Sequence, residues 1–389
     1  MTSLLGGRLT VTLCRDEGEF AGLAGEWDSL HRRCPTSTPF QSHAWLHSWW
    51  LSYGMPGRLR VVLARRGERL IGAAALMLVH RPMPLLVPLG GPISDFFDIL
   101  VDGEDARDAV AALERGLDRA AVHTVIDLRE VRPDACAQRL FDVWSGARCR
   151  LSDSTCMELP AEPIGTLIER MPGSRAQRAR AKLRKIDALG IECRTAPEHR
   201  VADAIGTLVR LHELQWRGRG VNAEHLRPRF SAHLVRATRR MVRDGQASVR
   251  EYLLGGELVA ADLALTSPGL TGCYLYGADP GLREKKVEVA SMLLREVARQ
   301  AADTGPGGVL SLLRGSEQYK NHWAPVPVVN ERLLLARGAL EPLLRLRESQ
   351  VAVRDRAAES VKARFPAARD WHARLGGLPA AVLPVIGRW

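Results

Sequence analysis

The sequence lacks the features that mark a membrane-spanning or exported protein. Its longest apolar run, residues 70–79, has about half of the roughly 20 residues that a helix needs to cross a bilayer. The opening residues, MTSLLGGRLTVTLCRDEGEF, do not combine a charged start with an apolar stretch, which argues against a secretory signal. We therefore expect a cytoplasmic protein without a transmembrane segment.

Metal-binding and nucleotide-binding signatures are also scarce. The seven cysteines are odd in number and include no CxxC pair, so the sequence predicts neither a disulfide framework nor a zinc site, and we expect no metal. No GxGxxG follows a predicted strand, and GxxxxGK[ST] is absent from the sequence. These absences argue against a doubly wound dinucleotide-binding fold and against a P-loop protein.

Positive charge is abundant, although lysine is rare. The formal net charge is +11, with 55 basic and 44 acidic residues, yet only six of the basic residues are lysine. An arginine excess of this kind, together with abundant alanine, leucine and glycine, is typical of a high-GC genome. The overall charge therefore does not by itself predict a nucleic-acid partner, and we expect no DNA binding.

The order of the predicted elements indicates an α/β (α+β) fold with mixed sheets. Each half of the chain contains helices, a strand hairpin and then a strand–helix–strand unit. From residue 338 onward the sequence is rich in arginine and alanine and has no strand pattern. We predict an N-terminal domain at residues 1–160, a C-terminal domain at 161–337 and a helical tail at 338–389, for which peripheral membrane contact is an alternative to packing on the body.

The densest group of chemically active residue types lies at residues 310–324, with the sequence LSLLRGSEQYKNHWA. A short apolar strand ends there at Arg314, and polar residues follow it directly. The end of a buried strand is where α/β sheets place the groups that bind ligands. Asp262 is a separate candidate, because it interrupts an apolar strand where an unpaired carboxylate would be costly.

Three segments together resemble one family: FQSHAWLHSWW at residues 40–50, LGGPISDFFD at 89–98 and LLRGSEQYKNHW at 312–323. The chain is similar, over about residues 10–340, to the CelD/BcsL-type (cellulose-biosynthesis-like) bacterial acyltransferases of the GNAT superfamily, which are related to the FemABX aminoacyltransferases. The resemblance implies two tandem GNAT-like domains, with acyl transfer in the C-terminal one. It also implies acetyl-CoA or another acyl-CoA as co-substrate.

The resemblance further implies where the cofactor binds. The pantetheine arm would lie between splayed strands at residues 270–277 and 309–313, and the pyrophosphate would meet the N-terminus of a helix at 287–302. The implied cofactor-binding residues are Gly281, Arg283, Lys285, Lys286 and Arg314. The sequence departs from the family pattern at residues 286–290, KVEVA, where the usual glycine-containing helix entry is replaced, and at Ser311, where an acidic residue is usual.

For catalysis, the resemblance implies direct attack of an amine on the thioester, which needs a base for the amine and an acid for the departing thiolate. Tyr319 matches the family's acid, because a phenol is neutral at pH 7 and can donate a proton as the thiolate forms. Glu317 is the first candidate for the base, and Asp262 is the second.

The expected acceptor is an amine of a small molecule or a polysaccharide precursor. Its candidate contacts are Asp95, His212, Trp216, Lys320, Arg178 and Lys182. Two alternatives remain open: a Fem-like transferase that uses aminoacyl-tRNA, favoured by the basic helix at residues 175–185, and a non-catalytic binding protein of an envelope or natural-product pathway, favoured by the altered helix entry.

Overall fold

Thirteen strands form one mixed sheet in the computed structural model, which describes residues 7–80, 82–217, 222–303, 307–315 and 320–364. The elements of the N-terminal half are β1 (Leu9–Cys14), α1 (Glu17–Gly22), α2 (Ala24–Arg33), α3 (His43–Tyr53), β2 (Leu59–Arg66), β3 (Arg69–His80), β4 (Pro84–Pro88), β5 (Leu100–Val101), α4 (Ala106–Ala120), β6 (Val125–Val131), α5 (Cys136–Val143) and β7 (Ala147–Pro160).

The C-terminal half is built from a matching series of elements. They are α6 (Ile164–Glu169), α7 (Gly173–Ala188), β8 (Glu192–Thr195), α8 (Val201–Trp216), α9 (Pro228–Arg243), β9 (Ala247–Leu254), β10 (Glu257–Ser267), β11 (Leu270–Ala278), α10 (Gly281–Glu284), α11 (Val289–Ala302), β12 (Val309–Arg314), β13 (Val326–Ala336) and α12 (Glu341–Arg364). Strand order across the sheet is β1-β2-β3-β4-β6-β13-β7-β12-β11-β10-β9-β8, and β5 pairs with β3.

Local sequence explains how individual elements form. The side chain of Ser42 accepts a hydrogen bond from the backbone N–H of Trp45 (3.3 Å) and caps the start of α3. Trp45 and Trp49 follow one turn apart and are both buried, and the ring of Trp45 packs against His233 on α9, with ring centroids 4.5 Å apart. The apolar stripe of α4 is likewise buried. The apolar run of β3 is buried at nearly every position, so both faces of this strand are covered.

Each half contains one pair of parallel strands that separates after a few residues. In the N-terminal half, β4 and β6 pair only at Leu85↔Val125 and Leu86↔Ile126. In the C-terminal half, β11 and β12 pair at three positions, from Leu270↔Val309 to Gly272↔Ser311. Beyond these pairs the strands diverge and leave a gap in the sheet. We call the two gaps the N-half cleft and the C-half cleft.

The last strand of each half is exchanged with the other half. Strand β7 ends the N-terminal half but pairs with β12, and β13 ends the C-terminal half but pairs with β6. The two exchanged strands also pair with each other along most of their length. The sheet is therefore continuous through both halves.

A buried ion pair reinforces this exchange. Arg332 on β13 donates two hydrogen bonds to Asp127 on β6, at 2.7 and 2.6 Å, and Arg347 on α12 adds a further contact at 2.9 Å. Burial opposes the ionisation of Asp127, but attraction to the two guanidinium groups outweighs it and lowers the pKa of this carboxyl. The pair therefore links strands that come from opposite halves.

The predicted α/β class is confirmed, and several predicted elements lie within a few residues of the observed ones. The helix expected at residues 287–302 is α11, and the strand expected at 309–313 is β12. Strand β7 was not predicted, because its side chains are mostly half-buried or exposed and give no apolar run. The boundaries at residues 160 and 337 remain a prediction. Among the described residues, no helix is both long and apolar enough to span a membrane.

We predict that neither half folds alone. A fragment of residues 1–160 lacks β13, so β6 would lose one of the two strands that pair with it. Asp127 would also be left without either arginine. Circular dichroism and thermal melting of fragments 1–160 and 161–389, separately and mixed, test this expectation. Cooperative unfolding should appear only in the mixture, and a cooperative transition in fragment 1–160 by itself would contradict the prediction.

Candidate functional site

The C-half cleft encloses a cavity of about 480 Å³. The facing edges of β11 and β12 form two of its walls, and α11 covers it with Leu293, Leu294 and Val297. Past Gly272 the backbone of β11 has no neighbouring strand on the side of β12. The cavity therefore combines an apolar lining with backbone polar groups, which is the usual composition of a small-molecule site.

The end of β12 is held in an unusual backbone conformation at this cavity. Leu313 has a φ of 58° and Gly315 a φ of 111°, values that a residue with a side chain rarely adopts. Lys320, which is buried, donates from Nζ to the carbonyl oxygens of Arg314 (2.9 Å) and Gly315 (3.3 Å). The predicted acceptor contact Lys320 therefore lines the cavity and also fixes the turn that forms it.

Arg314 lies between the two clefts and lines both of them. Its guanidinium donates to Asp95 (2.8 Å) and Glu130 (2.9 Å), and to the carbonyl oxygens of Pro92 (2.9 Å) and Ser94 (3.0 Å). The guanidinium that was predicted to bind cofactor is thus engaged by the N-terminal half. Asp95, a predicted acceptor contact, is its partner, so these two residues join the halves at the cavity wall.

A chain of hydrogen bonds between two histidines lies on the opposite wall. His212 on α8 places Nδ1 2.7 Å from the carbonyl oxygen of Tyr276, and its Nε2 lies 3.1 Å from Nδ1 of His225. A carbonyl oxygen only accepts, so Nδ1 of His212 carries a proton and Nε2 accepts from His225. Gly277 permits this contact, because a Cβ there would lie 2.2 Å from the backbone nitrogen of His212.

Burial disfavours the charged form of both imidazoles. It lowers the pKa of His212, and burial together with the nearby His212 lowers the pKa of His225 to about 4. Trp216 follows His212 by one helical turn, with ring centroids 6.3 Å apart, and also lines the cavity. The structure therefore places the predicted pair His212 and Trp216 at one wall of the cleft.

A second cavity, of about 590 Å³, adjoins the first at Trp323, which lines both. Arg175, Arg178 and Lys182 of α7 line its basic side. Glu288, directly before α11, accepts a hydrogen bond from Lys182 and lies 3.8 Å from Nδ1 of His322. The predicted basic face of α7 therefore borders an entrance that leads towards the C-half cleft.

The predicted pyrophosphate loop lies beside this entrance. Arg283, Lys285 and Lys286 are exposed, and Lys286 has a φ of 53°. Gly281 begins the one-turn helix α10, and its N–H donates to the side chain of Asp279 at 2.7 Å. The three cations are accessible to an anionic ligand, whereas none of them lines the described cavities.

Asp262 has a structural partner that the sequence did not indicate. It is fully buried, and Nε of Arg250 on the neighbouring strand β9 donates to it at 3.0 Å. The hydroxyl of Tyr252 donates to the same carboxylate at 3.3 Å. Asp262 is not among the residues that line the C-half cleft. Asp262 is thus paired inside the sheet and reaches the cleft only through Cys273, whose Sγ lies 3.6 Å from its carboxylate, and its role as the second candidate base stays a prediction.

The remaining predicted catalytic residues, Glu317 and Tyr319, lie outside the described residues. Several cavity residues were not predicted, notably His225, Glu130 and Glu288. Glu130 had a usable signal, because it is a charged residue near the end of the apolar strand β6, much as Arg314 ends β12. Within the part of the chain that the structure describes, no cluster of three or more His, Cys, Asp or Glu could hold a metal ion.

Residues 173–321 match the family model described as an acetyltransferase (GNAT) domain. The solved structure of FemX is similar at 11% identity, with a TM-score of 0.60, over 83% of this chain and 98% of that one. A conserved protein of unknown function from Bacteroides thetaiotaomicron VPI-5482 is also 11% identical, with a TM-score of 0.58, over 84% of this chain and 100% of that one.

The C-terminal domain of a putative lysylphosphatidylglycerol synthetase from Agrobacterium fabrum is 13% identical, with a TM-score of 0.54, over 86% of this chain and 96% of that one. At 11–13% sequence identity, the similarity to these three structures shows a shared fold alone. None of the curated proteins compared with the sequence matches it. The acetyltransferase (GNAT) match thus lies within the C-terminal half, and the strand order of that half is repeated in the N-terminal half.

We predict that Arg314→Ala strongly destabilises the protein. The change removes the guanidinium that holds the carboxylates of Asp95 and Glu130, and loss of a partner at such partly buried groups costs roughly 1–3 kcal/mol. Urea unfolding followed by tryptophan fluorescence measures the loss. Arg345→Ala is the control, because it removes an exposed ion pair on α12 and should change the stability little. Equal stability of the two variants would refute the structural role.

We also predict that acid weakens the fold through the buried histidines. Their pKa values in the folded state lie below the usual 6.5, with His43 and His225 at about 4, so the unfolded chain takes up protons first as the pH falls. The free energy of unfolding should therefore decrease between about pH 6.5 and pH 4. His225→Gln should flatten this pH dependence in urea unfolding, whereas His123→Gln, at an exposed position, should leave it unchanged.

Proposed function

We propose that the protein is an acyl-CoA-dependent N-acyltransferase whose donor binds in the C-half cleft. One observation carries this proposal: β11 and β12 separate after three paired residues, and the gap opens into a cavity of about 480 Å³. An extended pantetheine arm can hydrogen-bond to the strand edge there much as a further strand would. The apolar residues of α11 that cover the cavity exclude water from the thioester.

The anionic part of the donor has a complementary entrance. The N-terminus of α11 carries the positive end of the helix dipole, and the exposed Arg175 and Arg178 lie beside it. Lys182 is paired with Glu288, so a phosphate that approaches must compete with this carboxylate. We infer that the guanidinium groups and the loop cations Arg283, Lys285 and Lys286 supply most of the attraction for phosphate.

The proposed transfer is a direct attack. The acceptor amine attacks the thioester carbon and gives up a proton to a base, the bond to sulfur breaks, and the thiolate leaves with a proton from an acid. Tyr319 remains the predicted acid, and Glu317 remains the predicted base. His212 and Trp216, on the opposite wall, are in place to contact the acceptor. We propose that this acceptor is an amine of a small molecule or polysaccharide precursor in the cytoplasm.

A second candidate donor is aminoacyl-tRNA. The fold is similar to that of FemX, and α7 exposes four arginines to solvent along with its paired Lys182: Arg175, Arg178, Arg180 and Arg184. A basic helix of this kind attracts a polyphosphate backbone in a salt-dependent way. The CelD/BcsL-type relationship, inferred from three sequence segments, favours acyl-CoA instead. The departure at residues 286–290 keeps a non-catalytic binding protein as a third candidate.

Calorimetric titration with acetyl-CoA and with bulk tRNA separates these candidates. We expect saturable binding of acetyl-CoA that Leu312→Trp abolishes, because Leu312 lines the cavity and an indole would fill it. The double change Arg175→Ala and Arg178→Ala should weaken acetyl-CoA binding by roughly tenfold or more. Arg184→Ala, on the same helix but outside the entrance, should leave the affinity unchanged.

Each alternative predicts a different pattern. Absence of acetyl-CoA binding at millimolar concentration would refute the acyl-CoA proposal, and tight, salt-sensitive tRNA binding would favour the Fem-like donor. If acetyl-CoA binds, thiol release in the presence of a panel of simple amines reports on turnover. Tyr319→Phe should then lower the maximal rate without changing acetyl-CoA affinity.

A further inference from the structure

The cavity of the C-half cleft extends through the gap in the sheet from one face to the other. Side chains alternate between the two faces along a strand, and β10 shows which helix covers which face. Leu263 belongs to the same core as Leu208 of α8, whereas Ala264 packs with Val297 of α11. The two helices therefore lie on opposite faces, and residues of both line the cavity.

The N-terminal half supplies part of the wall on the face of α8. Tyr274 on β11 packs against the core that contains α8, and its hydroxyl donates to the carbonyl oxygen of Ile93 at 2.8 Å. This bond holds residues 92–95 over the same face as His212. Asp95, at the end of this segment, lines the cavity. We call this wall, formed by residues 92–95 and α8, the interhalf wall.

One carboxylate oxygen of Asp95 is held by the protein, and the other is available to a ligand. Oδ1 accepts from Nε of Arg314 at 2.8 Å. No donor among the described residues hydrogen-bonds to Oδ2, and the side chain is 14% exposed. Asp95 is also the only aspartate or glutamate among the described residues that line this cavity. The arginine therefore fixes the carboxylate and leaves one oxygen free to accept.

Glu130 shares this arginine but has no free oxygen. Its Oε1 accepts from Arg314 at 2.9 Å, and its Oε2 accepts from Asn330 at 3.2 Å and from the hydroxyl of Ser154. It lines the N-half cleft and is not among the residues that line the C-half cleft. Of the two carboxylates that Arg314 holds, only Asp95 therefore presents an oxygen to the C-half cleft.

The histidines of the interhalf wall have their lone pairs occupied. Nε2 of His212 accepts from His225, and its Nδ1 donates to Tyr276. The backbone N–H of Glu224 donates to Oδ1 of Asn222, so the amide nitrogen of Asn222 is the atom that lies 3.4 Å from Nε2 of His225. Both imidazoles thus accept from donors of the protein itself.

The cations at the cavity are committed to oxygens of the protein. Lys320 donates to the carbonyl oxygens of Leu313 (3.4 Å), Arg314 (2.9 Å) and Gly315 (3.3 Å), and Arg314 donates to two carboxylates and two carbonyl oxygens. These two are the only lysine or arginine residues among the described lining residues. A carboxylate or phosphate on the acceptor would therefore meet the charge of Asp95 with no uncommitted cation to balance it.

We propose that Asp95 is the base of the transfer and that the acceptor is an amine without an anionic group. This inference rests on the proposed function, in which the donor binds under α11, so that the amine attacks the thioester from the interhalf wall. As the bond from nitrogen to carbon forms and the bond to sulfur breaks, the nitrogen gives a proton to Oδ2 of Asp95, and the sulfur takes a proton from the acid. Water then takes the proton from Asp95 and returns one to the acid. Asp95 thus takes the role that the sequence predicted for Glu317.

Thiol release from acetyl-CoA, with 4-amino-1-butanol as the amine, measures this role in the full-length protein. Asp95→Asn should lower kcat by roughly 100-fold or more, as expected for the loss of a general base, and should leave the calorimetric affinity for acetyl-CoA unchanged. The amide keeps an acceptor for Arg314, and a thermal melt checks that the variant is folded. Glu130→Gln is the matched control, because it changes the other carboxylate that Arg314 holds, and it should keep most of the wild-type rate.

Methoxyamine separates proton transfer from positioning. The nitrogen of its adduct is more acidic than that of an alkylamine adduct, so it loses its proton to water more readily. Asp95→Asn should therefore lose much less rate with methoxyamine than with 4-amino-1-butanol, and Asp95→Glu should restore part of the rate with the alkylamine.

The acceptor class is tested on the wild-type protein with two amines of similar basicity. The value of kcat/KM should be roughly tenfold or more higher for 4-amino-1-butanol than for 4-aminobutanoate, because the carboxylate of the second amine is repelled by Asp95.

Several results would overturn the proposal. It fails if Asp95→Asn keeps most of the rate, if Glu130→Gln loses as much, or if the loss is equal with methoxyamine. Equal use of 4-aminobutanoate would refute the acceptor class. If acetyl-CoA does not bind the wild-type protein, the proposed function itself fails. If acetyl-CoA binds and neither 4-amino-1-butanol nor methoxyamine is acetylated, the assignment of Asp95 fails and the donor site stands.

Discussion

The exchange of β7 and β13 is the constraint on which the rest of the structure depends. Each half contributes its last strand to the edge of the other half, so the sheet closes only when both halves are present. Two groups of ion pairs lie at this junction: Asp127 with Arg332 joins β6 to β13, and Arg314 joins the end of β12 to Asp95 and Glu130. Removal of one partner would leave a buried charge without compensation. The position of each cleft is thus fixed by the opposite half.

The two clefts form in the same way but have different surroundings. Both open where parallel strands diverge, and both have a residue with positive φ on the far strand. The C-half cleft leads past Trp323 to the basic face of α7, which suits a ligand with several phosphates. The N-half cleft is lined by apolar side chains, and α12 contributes Arg347 at its charged end. Arg314 lies in the wall between the two clefts and lines both of them.

The structure adds contacts around the C-half cleft that the sequence did not indicate. His212 and Trp216 both line the cleft, since a spacing of four residues places them on one face of α8, and their contact with an acceptor stays a prediction. Arg314 was expected to contact cofactor, but its hydrogen-bond donors reach residues about 220 positions earlier in the chain. His225 could not be found by spacing, because its contact with His212 depends on how the chain returns between α8 and α9. Asp262 stood out as a carboxylate in an apolar strand, and only strand pairing revealed Arg250 as its partner.

The sequence alone determined the α/β class, the repeated order of elements and the segments that form the C-half cleft, because apolar periodicity and helix boundaries are local properties of the chain. The tertiary structure decided the rest. Strand β7 carries no apolar run, and its place beside β12 depends on pairing with residues about 150 positions away. The wall at Arg314 and the apolar N-half cleft both form where segments distant in sequence meet. Long-range pairing of this kind leaves no periodic trace in either partner, and the fold alone brings the partners together.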